Sequence, residues 1–365
     1  MNTLPKKQLV SLAEIESGSP LMHVISPAAW QGVSIPPRDF LVEGVIPNRN
    51  VTLLSGDGGD GKTLITLQLM ASVCRGLPWV GAQVKQVKAF GLFCEDEEDE
   101  LHRRIEDIST HCNCGLSDLA GISLTSRVGE DNILVEFDRQ DRAKPTALYH
   151  AVTEHAVAFG AQLVVLDSLH DLFGGNEIIR TQARTFIGYL RRLALAINGA
   201  VVVNAHPSAS GLSTGSGTSG STAWNNAVRS RLYLTRPDDS EGDDDARVLK
   251  TMKQNYGPRG GGIDLRWMDG VFVRSTPVGA DPYQQAEKVF LECLDKIERE
   301  GRYVSPAKTS QQFAPTIFSR METSKRLGRK KLNAAMESLF AQDKIRNGEH
   351  VQPNRHKVNA IVRAE

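Results

Sequence analysis

Eight residues near the start of the chain restrict its possible folds more than any other feature. They read Gly56-Asp-Gly-Gly-Asp-Gly-Lys-Thr63 and match the pattern G-x-x-x-x-G-K-[ST] in full. An apolar, β-rich run at residues 51–55 precedes them and a stretch of helical character at residues 62–71 follows. The order of strand, glycine-rich loop and helix is the context in which backbone N–H groups surround phosphates, so the sequence predicts a P-loop.

The residues of this loop suit the parts of ATP and its metal ion. Lys62 is predicted to reach the β- and γ-phosphates, and the Thr63 hydroxyl to coordinate Mg²⁺. Asp167 follows the apolar run 163–166, the position from which a carboxylate holds Mg²⁺ through its water shell; the alternative is an Asp that caps the next helix. The residues predicted to contact the nucleotide are Gly56, Asp57, Gly58, Gly59, Asp60, Gly61, Lys62, Thr63 and Leu64.

Strands and helices are predicted to alternate through the middle of the chain. Short Val- and Leu-rich runs are separated by stretches of helical character, which predicts an α/β fold with a mostly parallel central sheet covered by helices. An antiparallel extension of the sheet is expected between residues 231 and 273. The predicted parallel strands are 51–55, 87–94, 121–125, 162–166 and 200–203.

The length and the charge distribution predict further parts. A chain of 365 residues exceeds the usual size of one domain. Helices followed by β-type alternation predict a small winged-helix-like domain at residues 281–365. Between residues 320 and 363 there are eleven Lys and Arg against four acids, so this domain is basic. An N-terminal arm at residues 1–39 is expected to be extended, with a neighbouring subunit as its candidate partner, and an ATPase domain is expected to cover residues 40–278.

Composition excludes several classes of protein. The 43 basic and 43 acidic residues balance, so the whole chain carries no electrostatic sign of nucleic-acid binding. A content of 40% hydrophobic and 24% charged residues is ordinary for a globular protein. No apolar run is long enough to cross a bilayer and the start lacks a signal peptide, so a cytoplasmic protein without a membrane partner is expected.

Several residues outside the loop are candidates for a part in hydrolysis. Glu95 directly follows the predicted strand 87–94, from where a carboxylate orients or deprotonates an attacking water. Asp96 is its rival, and a solvated helix start is the alternative for both. His206 precedes the Ser- and Gly-rich segment 208–221 and is a candidate sensor of the γ-phosphate; a structural histidine is equally compatible with its position.

Two arginines follow the Ser- and Gly-rich segment. Either Arg229 or Arg231 is a candidate arginine finger that reaches a nucleotide held by the next subunit. The alternative is that both pair with the acidic segment 238–245.

Together these motifs resemble the RepA-type hexameric replicative helicases and the related RecA-like ATPases of plasmids, prophages and integrative elements. The resemblance spans about residues 40–273 and implies a RecA-like P-loop NTPase core. Besides the P-loop it rests on Asp39-Phe-Leu-Val-Glu-Gly-Val-Ile-Pro47, Cys94-Glu-Asp96, Val165-Leu-Asp-Ser-Leu169, Asn204-Ala-His206 and Lys253-Gln-Asn-Tyr-Gly257.

The resemblance assigns roles to individual residues. It implies that Glu95 is the catalytic base, His206 the γ-phosphate sensor and Arg229 the finger supplied across a subunit interface. It also implies that Arg104 contacts the adenine side of the nucleotide and that Lys253 faces the neighbouring nucleotide. The family commonly has two adjacent histidines at the sensor, whereas this chain has Ala205 before His206.

Three functions follow from these features. The first is an ATP-hydrolysing, ring-forming helicase or translocase of RepA type, a homo-oligomer and expected hexamer that moves on single-stranded DNA during replication of a mobile element. The resemblance places the segment 208–221 where RecA-like motors line their central channel with DNA-binding loops. The segment contains no Lys, Arg or aromatic residue, which weakens this interpretation. The second is a non-translocating ATP switch that places the C-terminal domain on duplex DNA as a regulator or initiator. A small-molecule kinase is disfavoured because the sequence has no Arg-rich lid.

Overall fold

The computed structural model describes seven stretches of the chain. The first 23 residues, the segment 208–221 and most of the acidic segment 238–245 lie outside them. The chain divides into two compact units, one of Met1–Arg236 with Asp245–Ser275 and one of Pro237–Asp244 with Thr276–Glu365. The described stretches are residues 24–206, 222–237, 243–256, 261–275, 282–324, 327–351 and 357–364.

Strands and helices are labelled in chain order. The strands are β1 (Phe40–Val42), β2 (Ile46–Pro47), β3 (Val51–Gly56), β4 (Lys88–Phe93), β5 (Ile122–Ser126), β6 (Val135–Phe137), β7 (Ala143–Pro145), β8 (Ala161–Asp167), β9 (Phe173–Gly174), β10 (Ala200–Ala205), β11 (Ser230–Thr235), β12 (Ala246–Gln254), β13 (Gly262–Met268), β14 (Val271–Arg274), β15 (Ile345–Val351) and β16 (Lys357–Arg363). The helices are α1 (Lys62–Arg75), α2 (Glu98–His111), α3 (Ala147–Phe159), α4 (Leu169–Leu172), α5 (Arg180–Ala196), α6 (Thr222–Ala227), α7 (Pro282–Arg299), α8 (Ala314–Ser319) and α9 (Arg329–Ala341).

The first unit is built on one large sheet. Among the described residues it has nine strands in the order β14-β13-β12-β11-β3-β10-β8-β4-β5. From β11 to β5 neighbouring strands are parallel, whereas β12, β13 and β14 form an antiparallel extension. The predicted α/β fold with a mostly parallel central sheet, a RecA-like P-loop core, is therefore confirmed, and β5 lies at one edge of the sheet.

Helices cover both faces of this sheet and create two hydrophobic cores. Successive residues of β8 alternate between them: Val164 and Leu166 belong to the core under α3 and α5, and Leu163 and Val165 to the core under α1 and α2. A strand buried on both faces needs apolar side chains at every position. This requirement explains the continuous Val and Leu runs of the sequence.

The parallel strands bring distant parts of the sequence to one edge. β3, β4, β8 and β10 all end at the same side of the sheet, because parallel strands share a direction. Ligands of open α/β sheets bind at these carboxyl ends. The loop after β3, Glu95 after β4, Asp167 at the end of β8 and His206 after β10 therefore meet there.

Some short elements depart from the sequence prediction. The hairpin of β1 and β2, the small sheet of β7, β6 and β9, and helix α6 were not predicted. Helical character in the sequence at residues 319–327 predicts a helix there. This prediction is wrong, because α8 already ends at Ser319 and a 3-10 turn at Glu322–Ser324 follows. The helix starts earlier because Pro315 favours its first turn and Phe318 is buried in the core of the second unit.

The second unit contains three helices followed by a hairpin. β15 and β16 pair antiparallel, and an isolated parallel bridge joins Ser305 to Phe313 before α8. Its core lies between α7, α8 and α9, where Phe290 and Phe318 pack edge to face with ring centroids 4.7 Å apart. The predicted order of helices and hairpin is observed.

Candidate functional site

Two glycines shape the loop that connects β3 to α1. Gly59 and Gly61 adopt left-handed backbone conformations, with φ of 77° and 94°, which residues with a Cβ atom rarely adopt. A Cβ atom on Gly61 would also lie 2.6 Å from the ring of Phe272 on β14. Gly61 is the N-cap of α1. The unpaired N–H groups at this helix end form a site suited to an anion such as phosphate.

Lys62 crosses the loop with its side chain. The side chain is buried, and Nζ donates hydrogen bonds to the carbonyl oxygens of Gly56 at 2.9 Å and Asp57 at 3.0 Å, and to Nδ1 of His206 at 3.3 Å. Burial lowers the pKa of Lys62, and nearby carboxylates oppose the shift. The ammonium group of Lys62 is therefore held against the backbone of a loop that is suited to bind phosphates.

Thr63 and Asp167 meet beside the loop. The Thr63 hydroxyl donates a hydrogen bond of 2.6 Å to Oδ2 of Asp167, which is 4% exposed. Burial raises the pKa of Asp167, and hydrogen bonds from Thr63 and Asn204 oppose the shift. A hydroxyl and a carboxylate oxygen are the hard ligands that Mg²⁺ prefers. The two residues predicted as Mg²⁺ ligands therefore lie together, and their chemistry fits that ion.

Glu95 and His206 form the next contact of the site. Nε2 of His206 lies 3.4 Å from Oε1 of Glu95, whose side chain is half-exposed. This hydrogen bond holds the pKa of Glu95 at about 2; burial opposes the shift, and a hydrogen bond with Ser168 adds to it. Glu95 is therefore ionised at any pH near neutrality.

The two contacts of His206 define its protonation. The ammonium of Lys62 is only a donor, so Nδ1 of His206 accepts. The carboxylate of Glu95 is only an acceptor, so Nε2 carries the proton and donates. A neutral imidazole with its proton on Nε2 satisfies both partners. Lys62, His206 and Glu95 thus form one continuous chain across the site.

Asp96, the rival of Glu95, is directed elsewhere. Its carboxylate accepts a hydrogen bond of 2.7 Å from Nη1 of Arg104, and Nε of Arg104 donates to Glu100 at 2.8 Å. Burial raises the pKa of Asp96, and Arg104 opposes the shift. Within the described residues no hydrogen bond or ion pair joins Arg104 to the phosphate loop. The structure therefore places Arg104 with the acids around the start of α2.

The three remaining predicted residues lie around α6 and on the antiparallel extension. Arg231 on β11 is buried, whereas Arg229, directly after α6, is exposed. Lys253 on β12 donates a hydrogen bond of 2.7 Å to the carbonyl oxygen of Asn225 in α6. Of the two candidate finger residues, only Arg229 presents its side chain at the surface of the chain.

Sequence reasoning missed two neighbours of the site. His170 on α4 lies beside His206, with ring centroids 5.6 Å apart, and its Nε2 is 3.2 Å from Oε1 of Glu177. A second histidine therefore lies beside His206 in space, whereas residue 205, its neighbour in sequence, is an alanine. Asn204 is buried on β10 and donates to Thr66 in α1. No spacing in the sequence signals His170, because only the fold brings α4 to β10.

Arg247 is a third neighbour that sequence reasoning missed, and it contacts the phosphate loop itself. Asp60, predicted as a nucleotide contact, is buried, and Nε of Arg247 on β12 lies 3.6 Å from its Oδ1. The position of Asp60 within a glycine-rich loop can be recognised from the sequence. Nothing in the sequence indicates its partner Arg247, which lies 187 residues later.

Two absences among the described residues bear on ligands and membranes. No group of three or more His, Cys, Asp or Glu side chains in them is arranged to hold a metal ion. None of the described helices has the length and apolar character needed to span a membrane.

Comparisons with known proteins give a family match and a similar solved structure for this chain. No curated protein matches the sequence. A solved KaiC-like protein from the hyperthermophilic archaeon Pyrococcus horikoshii OT3 is similar over 65% of this chain and 94% of its own, with a TM-score of 0.45 and 13% identity. The family model described as AAA domain matches residues 17–211, more than half of the chain. The protein therefore belongs to the AAA domain family of P-loop ATPases.

Proposed function

We propose that this protein is an ATP-hydrolysing, ring-forming DNA helicase or translocase of RepA type that acts in the replication of a mobile element. The observation that carries the proposal is the chain of contacts from Lys62 through His206 to Glu95. His206 lies just before the segment 208–221, which is predicted to line the ring's channel. A change at the γ-phosphate would thus be passed to a DNA-binding segment through one side chain.

ATP with Mg²⁺ is the proposed ligand. The Thr63 hydroxyl and the Asp167 carboxylate would hold Mg²⁺, which offsets the negative charge of the phosphates. Lys62 would bind the β- and γ-phosphates together with the N–H groups of the loop. Glu95 accepts hydrogen bonds as a permanent carboxylate, so its proposed role is to orient the attacking water opposite the γ-phosphate. His206 holds Glu95 in that position.

The remaining site residues are proposed to act around the nucleotide and across subunit interfaces. Arg229 is exposed, as an arginine finger supplied to a neighbouring subunit must be, and Lys253 is proposed to face the same nucleotide. Arg104, held by Asp96 and Glu100, is proposed to contact the adenine side. These roles require a homo-oligomer, for which we propose a hexamer, with the cytoplasm as its location.

The test is steady-state ATP hydrolysis by the full chain with Mg²⁺, alone, with single-stranded DNA and with duplex DNA. We expect single-stranded DNA to stimulate hydrolysis, and Lys62→Ala and Glu95→Gln to abolish the stimulated rate. Glu98→Gln removes an equally negative, exposed side chain from the start of α2 and is the matched control. Absence of hydrolysis by the unmodified protein under all conditions would reject the motor.

A second function is favoured by the C-terminal unit. Its three helices and hairpin suit a winged-helix domain, and α9 begins with Arg329, Lys330 and Lys331, with no acid in its first turn. Cations at a helix N-terminus oppose the helix dipole and cost about 0.3–1 kcal/mol each. A role in binding duplex DNA phosphates would explain why they are there, as in a non-translocating ATP switch.

For one double variant, this alternative predicts a more stable fold but weaker binding of duplex DNA. Arg329→Gln combined with Lys330→Gln is expected to stabilise the fold slightly, because the dipole is no longer opposed. It is also expected to weaken duplex binding and to reduce the dependence of log K on log salt by about 2. The control is Lys288→Gln with Arg299→Gln, which removes two exposed cations of α7. An equal loss of binding in the control would exclude α9 as the specific contact.

A further inference from the structure

The phosphate loop contains a carboxylate that the proposed chemistry does not use. Asp60 is 5% exposed, and its Oδ2 accepts the N–H of Asp57 at 3.1 Å. Its own N–H donates to the carbonyl oxygen of Asp57 at 3.2 Å. A phosphate loop binds anions through N–H groups and a lysine. A buried negative charge within it works against that purpose unless something neutralises the charge.

Arg247 at the start of β12 is placed to neutralise it. Arg247 is 7% exposed; its Nε donates to the carbonyl oxygen of Asp60 at 3.1 Å and lies 3.6 Å from Oδ1 of the carboxylate. Nη1 of Arg247 donates to the carbonyl oxygen of Ala246 at 2.8 Å, which fixes the guanidinium on β12. The contact thus joins the antiparallel extension to the loop at both the backbone and the side chain of Asp60.

A second arginine near Asp60 provides a comparison. Nε of Arg236, beyond the end of β11, lies 3.8 Å from Oδ1 of Asp60, but the Arg236 side chain is 53% exposed. Water screens an exposed charge much more than a buried one. Arg247 is therefore the cation that dominates at this carboxylate. Burial raises the pKa of Asp60, and among the groups that oppose this shift Arg247 has the largest effect, which agrees with its dominant position at the carboxylate.

We propose that Arg247 is a positioning residue for nucleotide binding: it acts through Asp60, whose charge it neutralises, and does not touch the nucleotide. This inference rests on the proposed binding of nucleotide phosphates by the loop, and it does not depend on helicase activity. Without Arg247, the uncompensated Asp60 carboxylate would repel the phosphates at close range. Loss of Asp60 as well would remove the repulsion.

The test is a double-mutant cycle on the full chain. Affinity is measured by titration with a fluorescent ADP analogue and Mg²⁺, and kcat and KM for ATP without DNA are measured alongside. We expect R247Q to weaken binding and raise KM by about tenfold or more with little change in kcat. The same substitution made in the D60N background should change affinity and KM by less than about threefold relative to D60N. R236Q, which removes the exposed arginine near the same carboxylate, is the matched control and should stay within about threefold.

The double variant decides between a positioning role and direct contact. If Arg247 bound the nucleotide itself, R247Q/D60N would bind about tenfold or more weakly than D60N, and the proposal would be overturned. The comparison of D60N with the double variant remains decisive if R247Q alone does not fold. A fall in kcat with unchanged KM would also overturn the proposal. An unmodified protein that binds no nucleotide would reject the proposed function together with this inference, whereas normal binding by R247Q would reject the inference alone.

Discussion

At the scale of single residues, the proposed hydrolysis depends on Glu95. Glu95→Gln keeps the size of the side chain and its ability to accept a hydrogen bond from His206, but it removes the negative charge. We expect kcat for ATP to fall by about 10²–10⁴-fold, while affinity for the nucleotide stays close to normal because Lys62 and the loop are unchanged. Single-turnover hydrolysis and nucleotide titration together check this.

Glu98→Gln is the control for the hydrolysis prediction, and normal hydrolysis by Glu95→Gln would contradict it. Glu98 lies in the same acidic run, is exposed and, within the described part of the chain, has no hydrogen bond to His206. Glu98→Gln should therefore hydrolyse ATP at the normal rate. If Glu95→Gln hydrolyses ATP at the normal rate, a carboxylate other than Glu95 must orient the attacking water. The carboxylate of Asp96 is held by Arg104.

The low pKa of Glu95 also predicts how stability depends on pH. In the folded chain the pKa of Glu95 is about 2, against an ordinary value of 4.5. Because the folded pKa is lowered, the stabilisation is complete above about pH 4.5 and is lost as the pH falls towards 2. The difference in free energy of unfolding between the unmodified protein and Glu95→Gln should therefore shrink from pH 5 to pH 3. Urea unfolding at both pH values measures it, and a constant difference would contradict the proposed contact.

At the scale of elements, the turn between β3 and α1 depends on the conformation of Gly61. Its φ of 94° and the ring of Phe272 at 2.6 Å from a Cβ position leave no room for alanine. We expect Gly61→Ala to destabilise the fold by about 1–3 kcal/mol, measured by urea unfolding without nucleotide. Gly58→Ala is the control, because a Cβ atom there meets nothing within 4 Å; its effect should be below about 0.5 kcal/mol. Equal effects of the two substitutions would contradict this account.

The elements also show what a sequence can and cannot predict. β3, β8, β10 and α1 follow from local patterns, because strands buried on both faces need uninterrupted apolar residues. The hairpin of β1 and β2 and the small sheet of β7, β6 and β9 have strands of only two or three residues, too short for a periodic signal. Their pairing depends on the surrounding tertiary structure.

The same division applies to the site. That Lys62, Thr63 and Asp167 lie at one edge of the sheet was predictable, because each belongs to a motif that follows or ends a strand. The contacts of His206 with His170 and of Asp60 with Arg247 were not, since the partners are far apart in sequence and neither has a spacing of its own. The residue pattern alone left Glu95 and Asp96 as rivals and the resemblance favoured Glu95; the structure adds that Glu95 contacts His206 and Asp96 contacts Arg104.

At the scale of the whole molecule, the proposed ring makes a prediction for mixtures of variants. Lys62 and Glu95 belong to one chain's site, whereas Arg229 is proposed to serve a neighbour's nucleotide. Lys62→Ala and Arg229→Ala should each be inactive alone. In an equal mixture, about a quarter of the interfaces of a randomly assembled ring combine an intact P-loop with an intact finger. ATP hydrolysis should therefore reappear on mixing.

The control mixture is Lys62→Ala with Glu95→Gln. Lys62 and Glu95 are joined through His206 within one chain, so no interface in that mixture regains a complete site and the activity should stay absent. Recovery in both mixtures would mean that Glu95 also acts across the interface. Recovery in neither would mean that Arg229 serves its own chain or that no ring forms, and sedimentation with and without ATP separates these outcomes. A hexamer without recovery would reject only the finger, whereas a monomer under both conditions would reject the ring on which the helicase depends.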